Sequence, residues 1–132
     1  MNGSSQQTPR PVGDGPVGAV LVSGAGIAGI QASLDLANTG FRVYLVEKAS
    51  AVGGKMAALD KTFPTNDCAM CIVSPKLVEV GRHPNIRILT NAELVGLEGV
   101  PGRFVARVRQ APRYVRSELC TGCGSCTETC PI

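Results

Sequence analysis

Three glycines in six residues, Gly24, Gly26 and Gly29, stand between two segments of opposite character. Before them, VGAVLVS is a β-branched and aliphatic run that predicts a buried parallel strand over about Ala19 to Ser23. After them, Ile27, Ile30, Leu34 and Ala37 recur at helical spacing, which predicts a helix from Ile27 to Asn38 stopped at Thr39-Gly40. FRVYLVEK then reads as a second strand ended by charge. Ala19 to Lys48 therefore has the length of one strand–helix–strand unit, with parallel strands and a right-handed crossover. In that setting the glycines have distinct roles. Gly24 permits a tight turn, Gly26 lets backbone approach a pyrophosphate, and Gly29 lets the helix pack close on the strand. The helix N-terminus offers its N–H groups to the phosphates, so Gly24, Ala25, Gly26, Ile27, Ala28 and Gly29 are the candidate contacts. Glu47, 23 residues after Gly24, ends the second strand where an acid accepts hydrogen bonds from a ribose diol, and Lys48 stands beside it. The pattern is α/β, a Rossmann-type dinucleotide half-domain.

This fingerprint serves NAD and FAD alike. The glycine pair Gly53-Gly54 in EKASAVGGKM favours FAD, because it resembles the pair that follows the acidic residue in two-dinucleotide-binding flavoproteins, where it implies close approach of backbone to the cofactor. Lys55 is a further candidate to neutralise phosphate or flavin charge, against the commoner reading of a surface lysine. From Ala49 to Asn85 loops mix with helical stretches expected at Gly54 to Leu59 and Cys71 to Val80. NIRILTNAELVGLEG and RFVARVRQ have strand character, and the turn residues Gly99, Pro101 and Gly102 between them predict an antiparallel pair.

At Cys120 the composition changes abruptly to Cys, Gly and Thr, which marks a new module after the linker APRYVRSEL. Cys120, Cys123, Cys126 and Cys130 have the spacing Cx2Cx2Cx3CP, the run that holds a 4Fe-4S cluster in bacterial ferredoxins. Thiolates at three-residue intervals can wrap one cubane, Gly122 and Gly124 permit the loop, and Pro131 turns the chain away. Structural zinc sites more often use two separated CxxC knuckles. Cys68 and Cys71 form a separate CxxC with three readings: a redox dithiol beside the flavin, ligands to another cluster, or inert thiols. Its place after the glycine pair resembles disulfide reductases of glutathione-reductase type, although their cysteines are spaced more widely. His83, the one histidine, lies in a polar turn and reads as structural. Arg103, Arg107, Arg109, Arg113 and Arg116 read as a solvated face, or as a place for an acidic partner to dock.

Composition narrows the field of functions. A net charge of +3 with 4% aromatic residues lacks the basic stripe and stacking surface of a nucleic-acid binder. Residues 1–16 are rich in Gly, Pro, Ser and Gln without an apolar run, so a solvated tail and no export are expected. Val17 to Ala37 is apolar, but its four glycines, Gln31 and Asp35 argue against a membrane span. Six cysteines then point to metal or redox chemistry in a reducing, cytoplasmic compartment.

Together these strings resemble a known family, the A subunit of heterodisulfide reductase in its bacterial form, which begins at the flavin domain. The resemblance runs from about Gly18 to the end and rests on GAGIAGIQASLDLANTGFRVYLVEK, GGKMAALDKTFPTNDCAMCIVSPKLVEVGRHPNI and PRYVRSELCTGCGSCTETCP. The middle string is the most telling, since glycine fingerprints and ferredoxin runs are widespread. The sequence departs from the family at Ser23 and Ala25, where small or glycine residues are commoner. The resemblance implies a thioredoxin-reductase-like flavin domain interrupted by a ferredoxin module, with FAD and 4Fe-4S clusters as cofactors. It implies an oxidoreductase subunit that passes electrons between flavin and clusters, with flavin-based bifurcation as a family property. The implied partners are the other subunits of such a complex, ferredoxin, and hydrogenase or formate dehydrogenase as electron donor. On this reading residues 1–16 are a tail, 17–112 the flavin-binding segment and 113–132 the start of the cluster module. With no second cysteine run and no later flavin-covering strands, the sequence is expected to be the N-terminal fragment of a longer protein and inactive alone. Two alternatives stand beside it: a non-catalytic ferredoxin-like carrier with a vestigial dinucleotide fold, and a plain NAD(P)-linked flavin reductase.

Overall fold

The computed structural model describes residues 18–116, 119–128 and 130. The expected tail over residues 1–16 and the turn at Pro131 lie outside the described residues. The chain runs through β1 (Ala19–Ser23), α1 (Ile27–Asn38), β2 (Arg42–Val46), a 3-10 turn (Gly54–Ala58), α2 (Ala69–Arg82), β3 (Ile86–Leu89), β4 (Ala92–Val100), β5 (Arg103–Gln110) and a short α3 (Ser125–Glu128).

The strand–helix–strand unit forms as its residue pattern requires. β1 and β2 pair in parallel from Ala19 opposite Arg42 to Ser23 opposite Val46. α1 buries Ile30, Leu34 and Ala37 on one face, and its C-cap at Thr39 is followed by Gly40 at φ 98°, a left-handed turn that suits glycine. Ser33 is buried on the same helix and its hydroxyl donates to the Gly29 carbonyl at 2.7 Å, so burial leaves it satisfied. Ile30, Leu34, Leu45, Ala25 and Val80 form the core, with Val22, Val52, Leu77, Ile86 and Ile88 packed around it.

Two expectations need correction. The run NIRILTNAELVGLEG is two strands, not one. Ile86–Leu89 becomes β3 and joins the first sheet parallel to β2, giving the order β1-β2-β3, while Ala92–Val100 becomes β4 and pairs antiparallel with β5. Asn91 makes the break at φ 51°, a conformation asparagine tolerates, and its N–H donates to the Ala49 carbonyl at 3.0 Å. The expected antiparallel pair thus exists, but only from Ala92 onward. The second helix is also longer than expected, running from Ala69 to Arg82 with Pro75 inside it. Pro75 forfeits one helical hydrogen bond, yet Ala69, Val73 and Val80 bury a stripe along the helix that outweighs the loss. The first helical stretch is a 3-10 turn ending at Ala58.

His83 caps α2. Its Nε2 lies 3.2 Å from Asn38 Oδ1 and its Nδ1 accepts the Asn85 N–H at 3.2 Å, so it ties the ends of the two helices together as a structural residue.

Candidate functional site

The three fingerprint glycines are held in distinct ways. Gly24 has φ 98° and donates its N–H to the Val46 carbonyl at 2.7 Å, which fixes the turn against β2. A Cβ on Gly29 would lie 1.9 Å from the Gly24 carbonyl oxygen, so no side chain fits between helix and turn. A Cβ on Gly26 would meet nothing within 4 Å. Gly26 is the N-cap of α1, with no side-chain cap and no acid in the first turn, so no capping side chain satisfies the N–H groups of that turn. That is the environment an anion needs. Ala25 is fully buried beneath it, while Ile27 and Ala28 open the helix.

Gly53 and Gly54 come to the same place. Gly53 donates to the Ala25 carbonyl at 2.8 Å, and a Cβ on Gly54 would lie 3.0 Å from Gly26 Cα. Both have positive φ, 117° and 58°. The pair therefore packs backbone to backbone on the fingerprint loop, which gives glycine a reason at these positions besides any approach to a cofactor. Lys55 stands exposed on the 3-10 turn that follows.

Glu47 completes the arrangement. Its Oε2 accepts the Ala25 N–H at 2.7 Å and its Oε1 accepts the Ala49 N–H at 2.8 Å. A carboxylate has about four acceptor sites. Two backbone bonds orient the group and leave each oxygen able to accept one bond from a diol. Lys48 pairs with Glu93 at 3.5 Å, and Arg109 pairs with the other Glu93 oxygen at 3.1 Å. The Arg109 guanidinium, then Lys48, holds the Glu93 carboxyl below the usual carboxylate range. Ser23, Gly24, Glu47, Lys48, Glu93 and Leu94 line a cleft of about 390 Å³ at the carboxyl ends of β1 and β2, where open parallel sheets bind nucleotides. Glu93 escapes a reading of the sequence, because the run that contains it looks like one unbroken strand.

In the cysteine-rich segment Gly122 and Gly124 both have positive φ, 71° and 82°, as a tight ligand loop requires. Cys120, Cys123, Cys126 and Cys130 are exposed and unpaired. Cys123 Sγ lies 3.5 Å from Ser125 Oγ, and that hydroxyl, aided by the Ser125 backbone and Thr121, holds the thiol below its ordinary range, toward the thiolate that binds metal. Among the described residues no three His, Cys, Asp or Glu side chains are gathered into a metal-sized cage. The ligand assignment thus stands on spacing and loop conformation. Cys68 and Cys71, by contrast, are joined in a disulfide.

A family model described as FAD dependent oxidoreductase matches residues 19–121. The chain belongs to that family. A second model, described as a 4Fe-4S binding domain, matches residues 113–132. FAD and a 4Fe-4S cluster are thus the cofactors of this FAD-dependent oxidoreductase chain, and the open cradle at Gly26, with Glu47 beside it, fits the first. Among curated relatives, the chain is 57% identical over 112 residues to the second iron-sulfur A subunit of CoB–CoM heterodisulfide reductase from Methanopyrus kandleri. It is 56% identical over 112 residues to the A subunit of the H2:CoB-CoM heterodisulfide,ferredoxin reductase of Methanothermobacter marburgensis. Each match covers 85% of the chain and 17% of the relative, so the chain spans about one sixth of their length. The expected resemblance to the A subunit of heterodisulfide reductase is met by these matches. Among solved structures, the L-proline dehydrogenase of P. horikoshii superposes with a TM-score of 0.56 at 25% identity, covering 74% of this chain and 20% of that one. Among the described residues no helix is long and apolar enough to cross a membrane.

Proposed function

We propose that the chain is a nucleotide-binding part of an electron-transfer subunit that passes electrons between FAD and 4Fe-4S clusters in a heterodisulfide-reductase-like complex. The observation that carries this is the convergence of Gly26, Gly54 and Glu47 on one helix N-terminus, with a four-cysteine run beginning ten residues after β5 ends. Gly24 and Gly29 shape the turn, the first turn of α1 takes the pyrophosphate, Glu47 takes the ribose, and Lys48 and Lys55 add positive charge near the phosphates. Cys120, Cys123, Cys126 and Cys130 ligate a cluster. When bound, FAD exchanges electrons singly or in pairs, and so links a two-electron reaction to one-electron clusters. Cys68 and Cys71 form a redox pair on the same path.

The finer reading extends to partners. One relative is named for H2, another for H2 or formate, and both for a heterodisulfide and ferredoxin. These names support a hydrogenase or formate dehydrogenase as donor, ferredoxin as an acceptor, and division of an electron pair between two acceptors. A cytoplasmic setting, where thiols are kept reduced, belongs to the same reading, as does a boundary between the flavin-binding segment and the cluster module at residues 112 and 113. The test is the cofactor content and coupled reduction of the intact protein, purified without air. Stoichiometric FAD and iron, with cluster absorbance bleaching as the flavin is reduced, are expected. Full iron content without FAD, or flavin content unchanged by Gly26→Ala, would overturn the proposal.

A further inference from the structure

The Cys68–Cys71 disulfide joins two sulfurs that the fold treats differently. Cys68 is the N-cap of α2, a helix of 14 residues, and its Sγ accepts the Cys71 N–H at 3.2 Å. Cys71 lies inside the first turn. The helix end and this N–H both stabilise negative charge on Cys68 Sγ. No N–H is directed at Cys71 Sγ among the described residues. The backbone around Cys68 is pinned: it bridges Lys61, the Ala69 N–H donates to the Asp60 carbonyl at 3.1 Å, and its own carbonyl accepts the Ile72 N–H at 3.2 Å. Both cysteines are exposed, with Cα atoms 5.2 Å apart, and Phe63, Met70 and Ile72 stand exposed in the same segment. A structural disulfide usually closes a long loop, whereas this one spans three residues at a helix end that already has its hydrogen bonds. It therefore adds little to stability.

We infer that Cys68 and Cys71 form a polarised dithiol–disulfide couple that exchanges two electrons with a substrate disulfide, Cys68 making the mixed disulfide and Cys71 resolving it. This rests on the reading of the pair as redox-active, and adds the role of each sulfur and the class of molecule it meets. Starting from the reduced pair, the Cys68 thiolate attacks one sulfur of the substrate. A Cys68–substrate disulfide forms, the substrate S–S bond breaks, and the first thiol leaves with the proton that Cys68 gave up. Cys71 then attacks Cys68 Sγ, the mixed disulfide breaks, the Cys68–Cys71 bond forms, and the second thiol leaves with the proton from Cys71. The pair is oxidised by two electrons and the substrate disulfide is reduced to two thiols. The exposed Phe63, Met70 and Ile72 offer apolar contact to an aromatic disulfide near the pair.

The probe is 4,4′-dithiodipyridine, a neutral aromatic disulfide, applied without air to the intact protein after its thiols have been reduced and the reductant removed. Cleavage after Lys61 and Lys76 yields the peptide Thr62–Lys76, which contains these two cysteines and no other, so cluster ligands do not interfere. The wild-type peptide should end as an internal disulfide. Cys71→Ser should trap one thiopyridine on Cys68 at close to the wild-type rate, and Cys68→Ser should react about 10-fold more slowly. Equal rates in the two single variants would overturn the polarity. Loss of iron from either variant would overturn the couple and make the pair cluster ligands. FAD and iron are measured on the same samples: normal contents with no exchange at this peptide sink this inference alone, whereas absent FAD in the wild type sinks the electron-transfer reading and leaves the sulfur chemistry to be judged on the peptide.

Discussion

Gly29 and Gly26 lie three residues apart, and the structure assigns them opposite sensitivities. A Cβ on Gly29 would sit 1.9 Å from the Gly24 carbonyl oxygen, roughly 1.5 Å inside ordinary contact. The obstacle is backbone, and Gly24 cannot swing aside without stretching its 2.7 Å bond to Val46. Overpacking of this kind costs about 1–3 kcal/mol, and loss of the turn hydrogen bond about 1 kcal/mol more. Alanine returns at most about 1 kcal/mol of helix propensity. Gly29→Ala should therefore destabilise the fold by about 1–3 kcal/mol net, with or without flavin. Gly26→Ala differs. Its φ of −75° and ψ of 179° suit alanine, and the added methyl meets no protein atom. The loss of a favourable N-cap residue, which destabilises, and the lower entropy of the unfolded chain, which stabilises, each below about 1 kcal/mol, nearly cancel. On the proposed reading the methyl instead occupies the place of the pyrophosphate, so FAD affinity should fall about 10-fold or more. Flavin fluorescence gives affinity by titration of the apoprotein, and a thermal melt of the apoprotein gives stability. A Gly29→Ala apoprotein that melts like wild type, or a Gly26→Ala protein that binds FAD like wild type, would refute the reasoning.

Other substitutions probe the remaining parts. Glu47→Ala removes the acceptor for Ala25 and Ala49 N–H groups and for the ribose, so FAD retention should drop about 10-fold or more while iron per chain, measured in the same sample, stays constant. Cys126→Ser should lower iron per chain with FAD content unchanged; equal loss of both would argue against separate sites. Glu93 has a carboxyl held down by Arg109 and Lys48, so its contribution to stability is complete above the unfolded value of about 4.3 and is lost as pH falls through the depressed folded value. By NMR of the apoprotein its midpoint should lie below that of a free glutamate, and return toward it in Arg109→Ala or at high salt. Arg113→Ala should slow flavin-to-cluster electron transfer a few-fold, read by stopped-flow absorbance, without changing either cofactor content.

The nucleotide-binding unit was legible because each of its signals is local. Ile27 to Asn38 is bounded by glycine at both ends and carries its own apolar period, so α1 needs no tertiary context. The spacing of Gly29 from Gly24 likewise implies a close approach that a strand–turn–helix must make. What escaped depended on distant partners. Asn91 is one polar residue in an otherwise strand-like run, and it breaks that run because the Ala49 carbonyl, 42 residues earlier, accepts its N–H. α2 starts earlier than its expected limit at Cys71 because Ala69 is buried and its N–H donates to the Asp60 carbonyl, a contact made only in the fold. The two backbone bonds of Glu47 were also hidden, since only the fold brings Ala25 beside it. Cys68 and Cys71 were visible as a pair, but their inequality appears only with α2 beginning between them.

The loop from Glu47 to Gly54 is bonded both to the fingerprint turn and to the segment that follows β5. Glu47 and Gly53 both bond Ala25 in the fingerprint turn, through a side chain at one end of the loop and a backbone N–H at the other. Between them, the Ala49 carbonyl holds Asn91 and the Ser50 carbonyl accepts from the Arg113 guanidinium at 3.0 Å. Arg113 also reaches Thr90 Oγ1, and it lies seven residues before Cys120. Ser50 thus fastens Arg113, seven residues before the first cysteine of the run, to the same loop whose two ends bond Ala25, with Thr90 as a second hold, so Arg113→Ala removes this fastening while leaving the Glu47 and Gly53 bonds of the fingerprint turn in place.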